Sequence, residues 1–144
     1  MSAFEDVYKL VKEWQPEALP GELQYRNSLM ALLRQRLIKA SIEPEYRHKG
    51  TTTDIYVKQP GLLFGSSEVY VELKRNLLHK AQYDRLVGQI ESLDPRKNAI
   101  IVVMCGETNP ALVTRFKEKY DFADGSSFSG EPMIVVVKGD AGKK

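Results

Sequence analysis

Residues 69–76 read VYVELKRN, and three of them carry chemistry. Val69, Val71 and Leu73 alternate with Tyr70, Glu72 and Lys74, the pattern of a strand. Side chains two apart on a strand share a face, so a carboxylate and an ammonium stand side by side. Upstream, TTDIYVK (52–58) predicts another strand and contains Asp54. If the two strands form a hairpin with Lys58 opposite Glu68, Asp54 falls opposite Glu72, with Cβ atoms roughly 5 Å apart. A slip of one residue would turn Asp54 to the other face. Two acids that close repel unless one protonates, a neighbouring cation neutralises them, or a metal binds between them.

Lys74 supplies one positive charge, which still leaves the pocket net negative. Hard divalent cations take oxygen ligands of this kind, and Mg²⁺ keeps waters beside one or two carboxylates. Softer metals lack their ligands here. His48 and His79 are the only histidines and form no spaced pair, and Cys105 is the only cysteine. That single cysteine also excludes an internal disulfide. Basic residues flank the acids in RHKG (47–50) and KRNLLHK (74–80), and Arg26 and Arg34 lie on a predicted helix nearby. Acids that can hold Mg²⁺, rimmed by Arg47, Lys49 and Arg75, suit a phosphodiester whose backbone phosphates need cationic contacts.

The surrounding elements must position these residues. Phe4, Val7, Val11 and Trp14 recur at helical spacing and predict a helix over 3–14, opened by a Ser2/Glu5 capping box. Its apolar side serves either as core or as a docking face. Pro16 and Pro20 interrupt the chain, and a helix is predicted over 21–40 with Leu29, Leu32, Leu33 and Leu37 inward. SIEPEYR (41–47) is a strand whose Pro44 suits only an edge or a bulge. QPGLLFGSS connects the two strong strands. A helix follows at 78–93, stopped by DPRK, then an apolar strand at 98–106 that reads as buried on both faces. Asn109 and Pro110 open a helix to Tyr120, and MIVVVKG (133–139) is a final strand. Residues 121–132 form a long Gly/Ser-rich loop, and 139–144 a flexible tail. The sum is an α/β fold, a mixed β-sheet flanked by helices, within a single domain over 1–144 whose residues 1–20 are a helical extension.

The stretch GTTTDIYV … EVYVELK … QYDRLVGQI resembles the PD-(D/E)XK nuclease superfamily, whose restriction-endonuclease-like core runs α-β-β-β-α-β. Residues 21–104 reproduce that order. The resemblance matches Asp54 to the acid of the second core strand, and Glu72 and Lys74 to its ExK. Glu22 resembles the glutamate many members carry on the first core helix, and Gln89, or Gln82, the glutamine on the helix after the motif. Thr53 stands where the proline of PD usually is. The layout is closest in style to Holliday-junction resolvases and viral-type repair nucleases. The resemblance implies Mg²⁺, with Mn²⁺ as substitute, held by Asp54, Glu72 and the carbonyl of Leu73. It also implies DNA as partner, Lys74 positioning the attacking water, and a 5′ phosphate product. RNA is not excluded by it. A catalytically inactive nucleic-acid-binding or structural subunit on the same fold is the alternative.

Bulk properties bound these expectations. With 144 residues the chain can bury its own core, and a net charge of +2 does not imply a general nucleic-acid coat. A homodimer would build a larger basic groove. The opening MSAFEDVYKL lacks a signal-peptide layout, and no apolar run approaches the roughly 20 residues of a membrane span. A reducing cytoplasm is the expected compartment. Neither serine-containing loop has a nucleophile elbow, and neither glycine-rich loop matches a phosphate cradle.

Overall fold

The protein is described by a computed structural model at residues 2–48, 50–61, 63–120 and 132–138. The long loop expected over 121–132, save Pro132, and the tail 139–144 lie outside the described residues. The elements run α1 (Ala3–Glu13), α2 (Glu22–Arg36), β1 (Ser41–His48), β2 (Thr51–Pro60), β3 (Ser66–Arg75), α3 (Lys80–Leu93), β4 (Ile100–Cys105), α4 (Pro110–Tyr120) and β5 (Met133–Lys138). The predicted order α-β-β-β-α-β over 21–104 is present as α2 to β4.

The five strands form one mixed sheet in chain order, β1-β2-β3-β4-β5. The first two pairings are antiparallel and the last two parallel. Tight connections permit the former, and the helices α3 and α4 supply the crossovers that the latter need. β4 sits second from the edge with every residue buried, as its unbroken apolar run requires.

Alternation on the strands builds two cores. Val57, Val71, Leu73, Ile101 and Val103 face α1 and α2. Tyr56, Tyr70, Ile100, Val102 and Met104 face α3 and α4. The apolar stripe of α1 is core, because Phe4, Val7, Leu10, Val11 and Trp14 are all buried against the first layer. Its capping box forms as the sequence predicts.

Two helix boundaries differ from the sequence expectation by two residues or more. α2 ends at Arg36, four residues short of 40, because Leu37 leaves helical geometry (φ −106°, ψ 68°) so the chain can enter β1. α3 starts at Lys80, since His79 is extended and caps it: His79 N–H donates to Gln82 Oε1 at 3.0 Å, as does Leu78 N–H. Two of the three arginines of α2 are tied to β1, while Arg36 pairs with Glu13 of α1 at 3.6 Å. Arg26 pairs with Glu45 at 3.2 Å, and Arg34 donates to the Ile42 carbonyl at 3.2 Å.

β1 is an edge strand, the setting Pro44 needs. Glu45 follows it with φ 51°. Ile42 and Tyr46, four apart, should share a face on a regular strand. Instead Ile42 packs in the α1/α2 layer and Tyr46 against the α3/α4 layer. The left-handed residue between them switches the strand over.

Candidate active site

The β2/β3 ladder holds the predicted register, with Lys58 opposite Glu68 and Tyr56 opposite Tyr70. It stops at the pair Ile55 and Val71. One step further lie Asp54 and Glu72, on the Tyr56/Tyr70 face. Here β2 and β3 fork, and side chains replace the ladder bonds. Thr53 Oγ1 donates to the Val71 carbonyl at 3.1 Å, and Leu73 N–H donates to Asp54 Oδ2 at 2.7 Å. Thr53 is fully buried, so at the position of the expected proline its hydroxyl closes the last rung.

The fork exposes specific main-chain groups. Tyr70 N–H bonds the Ala99 carbonyl and Asn76 N–H the Cys105 carbonyl, so even-numbered β3 residues address β4. By alternation the odd-numbered Leu73 and Arg75 address the β2 side, where no strand remains to meet them. Asp54 takes the Leu73 N–H, and Glu22 Oε1 takes the Arg75 N–H at 3.4 Å. The Leu73 carbonyl therefore opens into the fork beside both acids.

Glu72 is 3% exposed, and its Oε2 is buried without a hydrogen-bond partner. Burial, then a side-chain hydrogen bond to Asp54, then the charges of Asp54 and Glu22 push its carboxyl up to about 10. Without a cation, burial and the facing acids thus favour the protonated form of Glu72 at neutral pH. Of the three ways to reconcile two close acids, the protein alone uses protonation.

Lys74 lies one step beyond on the same face, 20% exposed, with Nζ 3.9 Å from Glu22 Oε1. Glu22 is the first residue of α2, preceded by Gly21, which supplies no side-chain cap. Its carboxylate thus links Lys74 to the end of β3. Among the described residues no group of three or more histidine, cysteine or acidic side chains is placed to hold a metal ion; Asp54 and Glu72 are two, and Glu22 pairs with Lys74.

The remaining expected site residues are more dispersed. Gln89 is exposed on α3. Tyr83 and Glu91 contact Phe116 and Tyr120 of α4, and by helical spacing Gln89 lies on the opposite edge of the helix. Gln82 shares that edge but is engaged in capping α3. Arg47 is exposed on β1. Lys49 lies outside the described residues. Arg75 alternates to the α2 face of β3, where it lines a cavity of about 170 Å³ with Tyr25, Asn76 and Gly106, its Nε buried without a partner.

Three contributors escaped the sequence reading. Thr53 was legible only as a missing proline. Asn76, at φ 56°, accepts Glu107 N–H on its Oδ1 and turns the chain out of β3; asparagine directly after a strand is the signal, because it tolerates that conformation. Tyr46 stacks on Tyr56 at 3.9 Å and 11°, and the Pro44-Glu45 pair before it was the available clue.

Comparison with known protein families, curated proteins and solved structures yields no match to this chain. Among the described residues, no helix is long and apolar enough to cross a membrane.

Proposed function

We propose that this chain is a divalent-metal-dependent nuclease that hydrolyses phosphodiester bonds in DNA, on a domain akin to the PD-(D/E)XK superfamily. The observation that carries the reading is the fork between β2 and β3. It sets Asp54 against a buried Glu72 whose Oε2 has no partner, with the Leu73 carbonyl and Lys74 beside them. A structural strand has no use for such an acid, since leaving a buried carboxyl oxygen unsatisfied costs on the order of 1–3 kcal/mol.

The donor set fits Mg²⁺ or Mn²⁺. It offers two carboxylates and one carbonyl, all hard oxygen ligands, and leaves room for waters. Asp54, Glu72 and the Leu73 carbonyl would hold the ion, which when bound supplies Lewis-acid polarisation of the phosphoryl group and a more acidic water. The protein's own groups do the rest. With a cation held there Glu72 would be ionised, its proton released to solvent. Leu73 N–H fixes the Asp54 carboxylate. Lys74 Nζ, steered by Glu22, orients the attacking water and faces the charge that develops on the phosphoryl oxygens. Arg47 is the exposed cation on the neighbouring edge strand that would meet the DNA backbone.

A cleavage panel tests this: linear, nicked, flap, four-way and single-stranded DNA with Mg²⁺ or Mn²⁺, beside Glu72→Ala. Metal-dependent cutting of at least one substrate by the native chain, lost in the variant, is expected. Equal cutting by Glu72→Ala, or no metal-dependent cutting of any substrate, overturns the reading.

A further inference from the structure

Next to the acid pair the same sheet face carries an aromatic group that the hydrolytic scheme does not use. Tyr46, on the edge strand, pairs in the ladder with Thr53, the residue before Asp54. Its ring lies flat on Tyr56, 3.9 Å away, and tilts against Tyr70 at 6.3 Å. Both supporting rings are buried and held at their hydroxyls. Tyr56 donates to Glu68 Oε1 at 2.7 Å, and Tyr70 meets His48 Nδ1 at 3.1 Å. Tyr46 is half-buried, with one face of its ring resting on Tyr56.

The backbone is also unusual at this point of the edge strand. Glu45 holds φ 51°, a left-handed conformation that L side chains disfavour, and Arg26 clamps it at 3.2 Å. The effect of that strained residue is to carry Tyr46 across the sheet to the face of Asp54 and Glu72. An ordinary core tyrosine on Ile42's side would need no such turn.

We infer that Tyr46 is a stacking platform for an unpaired DNA base next to the phosphate held at the acid pair. A tyrosine fixed in advance loses little conformational freedom on contact, and every base offers it a π-face. Bases inside a duplex are covered by their neighbours, so the platform selects single-stranded DNA or the unpaired part of a branched substrate. The inference rests on the proposed nuclease site and names its substrate class.

The test is binding in chelator, where nothing is cut. Anisotropy of labelled single-stranded DNA is measured with the native chain, Tyr46→Leu and Tyr46→Trp, on a series in which one abasic position walks along the strand. The native chain is expected to lose about tenfold in affinity at one position of the walk. Tyr46→Leu binds the intact strand about tenfold more weakly and is indifferent to that position, and Tyr46→Trp recovers both. A flat walk for the native chain, or a position effect that persists in Tyr46→Leu, overturns the inference. The same pattern on RNA and not on DNA overturns the assignment of DNA. Should the leucine variant not fold, the walk on the native chain and the tryptophan variant still decide. A chain that shows this binding pattern but never cuts with Mg²⁺ sinks the nuclease reading alone, and one that cuts with a flat walk sinks only the platform.

Discussion

Replacing Glu72 by Gln should make the metal-free protein more stable, and increasingly so as the pH rises. In the folded chain burial, with Asp54 beside it, pushes the Glu72 carboxyl up from an ordinary 4.5 to about 10. Between those values the folded state holds a proton that the unfolded chain has released. Stability is therefore lost as the pH rises through that window and is unaffected below it. One proton corresponds to about 1.4 kcal/mol per pH unit, so about 3 kcal/mol is missing by pH 7. Glutamine carries a permanent N–H where Glu72 carries its proton, can donate it to Asp54, and does not ionise. Urea melts in EDTA from pH 5 to 9 should show the two chains separated by about 1 kcal/mol at pH 5 and by about 3 kcal/mol at pH 7. Mg²⁺ should then close the gap from the native side only, by about 2.7 kcal/mol at a hundredfold excess over its dissociation constant. Parallel curves across the pH range, or equal stabilisation of both chains by Mg²⁺, would refute the description of Glu72 as protonated in the metal-free fold.

Lys74→Ala should abolish cleavage while costing under about 1 kcal/mol of stability, because its partner Glu22 is half-exposed and 3.9 Å away; full activity in this variant removes its proposed role. Thr53→Val keeps the shape but strands the last rung of the fork, and chemical melts should register a loss of about 1 kcal/mol. Gly106→Ala should cost roughly 1–3 kcal/mol in the same measurement, since Gly106 has φ 72° and a Cβ there meets the Asn76 side chain; an unchanged midpoint would contradict that contact. Deleting residues 1–19 should give a chain without a cooperative melt, because Phe4, Val7, Val11 and Trp14 cover the first layer; a folded truncated chain by circular dichroism would assign the helix to docking instead.

The strands and their register were legible because period-two alternation is a strong signal and a single inferred pair, Lys58 with Glu68, fixes every other. The acid pair followed from that register alone. The end of α2 was not legible, since Leu37 to Ala40 contain no helix breaker and the chain turns there only to reach the sheet. Nor was the service of Arg26 and Arg34 to β1, which depends on how a helix and an edge strand meet in space. The face of Tyr46 was hidden for a similar reason. Alternation is read on the assumption of extended backbone, and one left-handed residue reverses it.

The placement of α1 has a consequence for how the chain is made. Its first residues are anchored far downstream: Ala3 N–H bonds Ser67 Oγ, 64 positions later, and Lys138 Nζ reaches the Lys12 carbonyl across 126 positions. During synthesis the apolar stripe of this helix emerges long before the strands that will receive it. It must wait, exposed, while β3 and β4 are produced, so such distant closures predict slow folding and a nascent chain that benefits from a holdase chaperone.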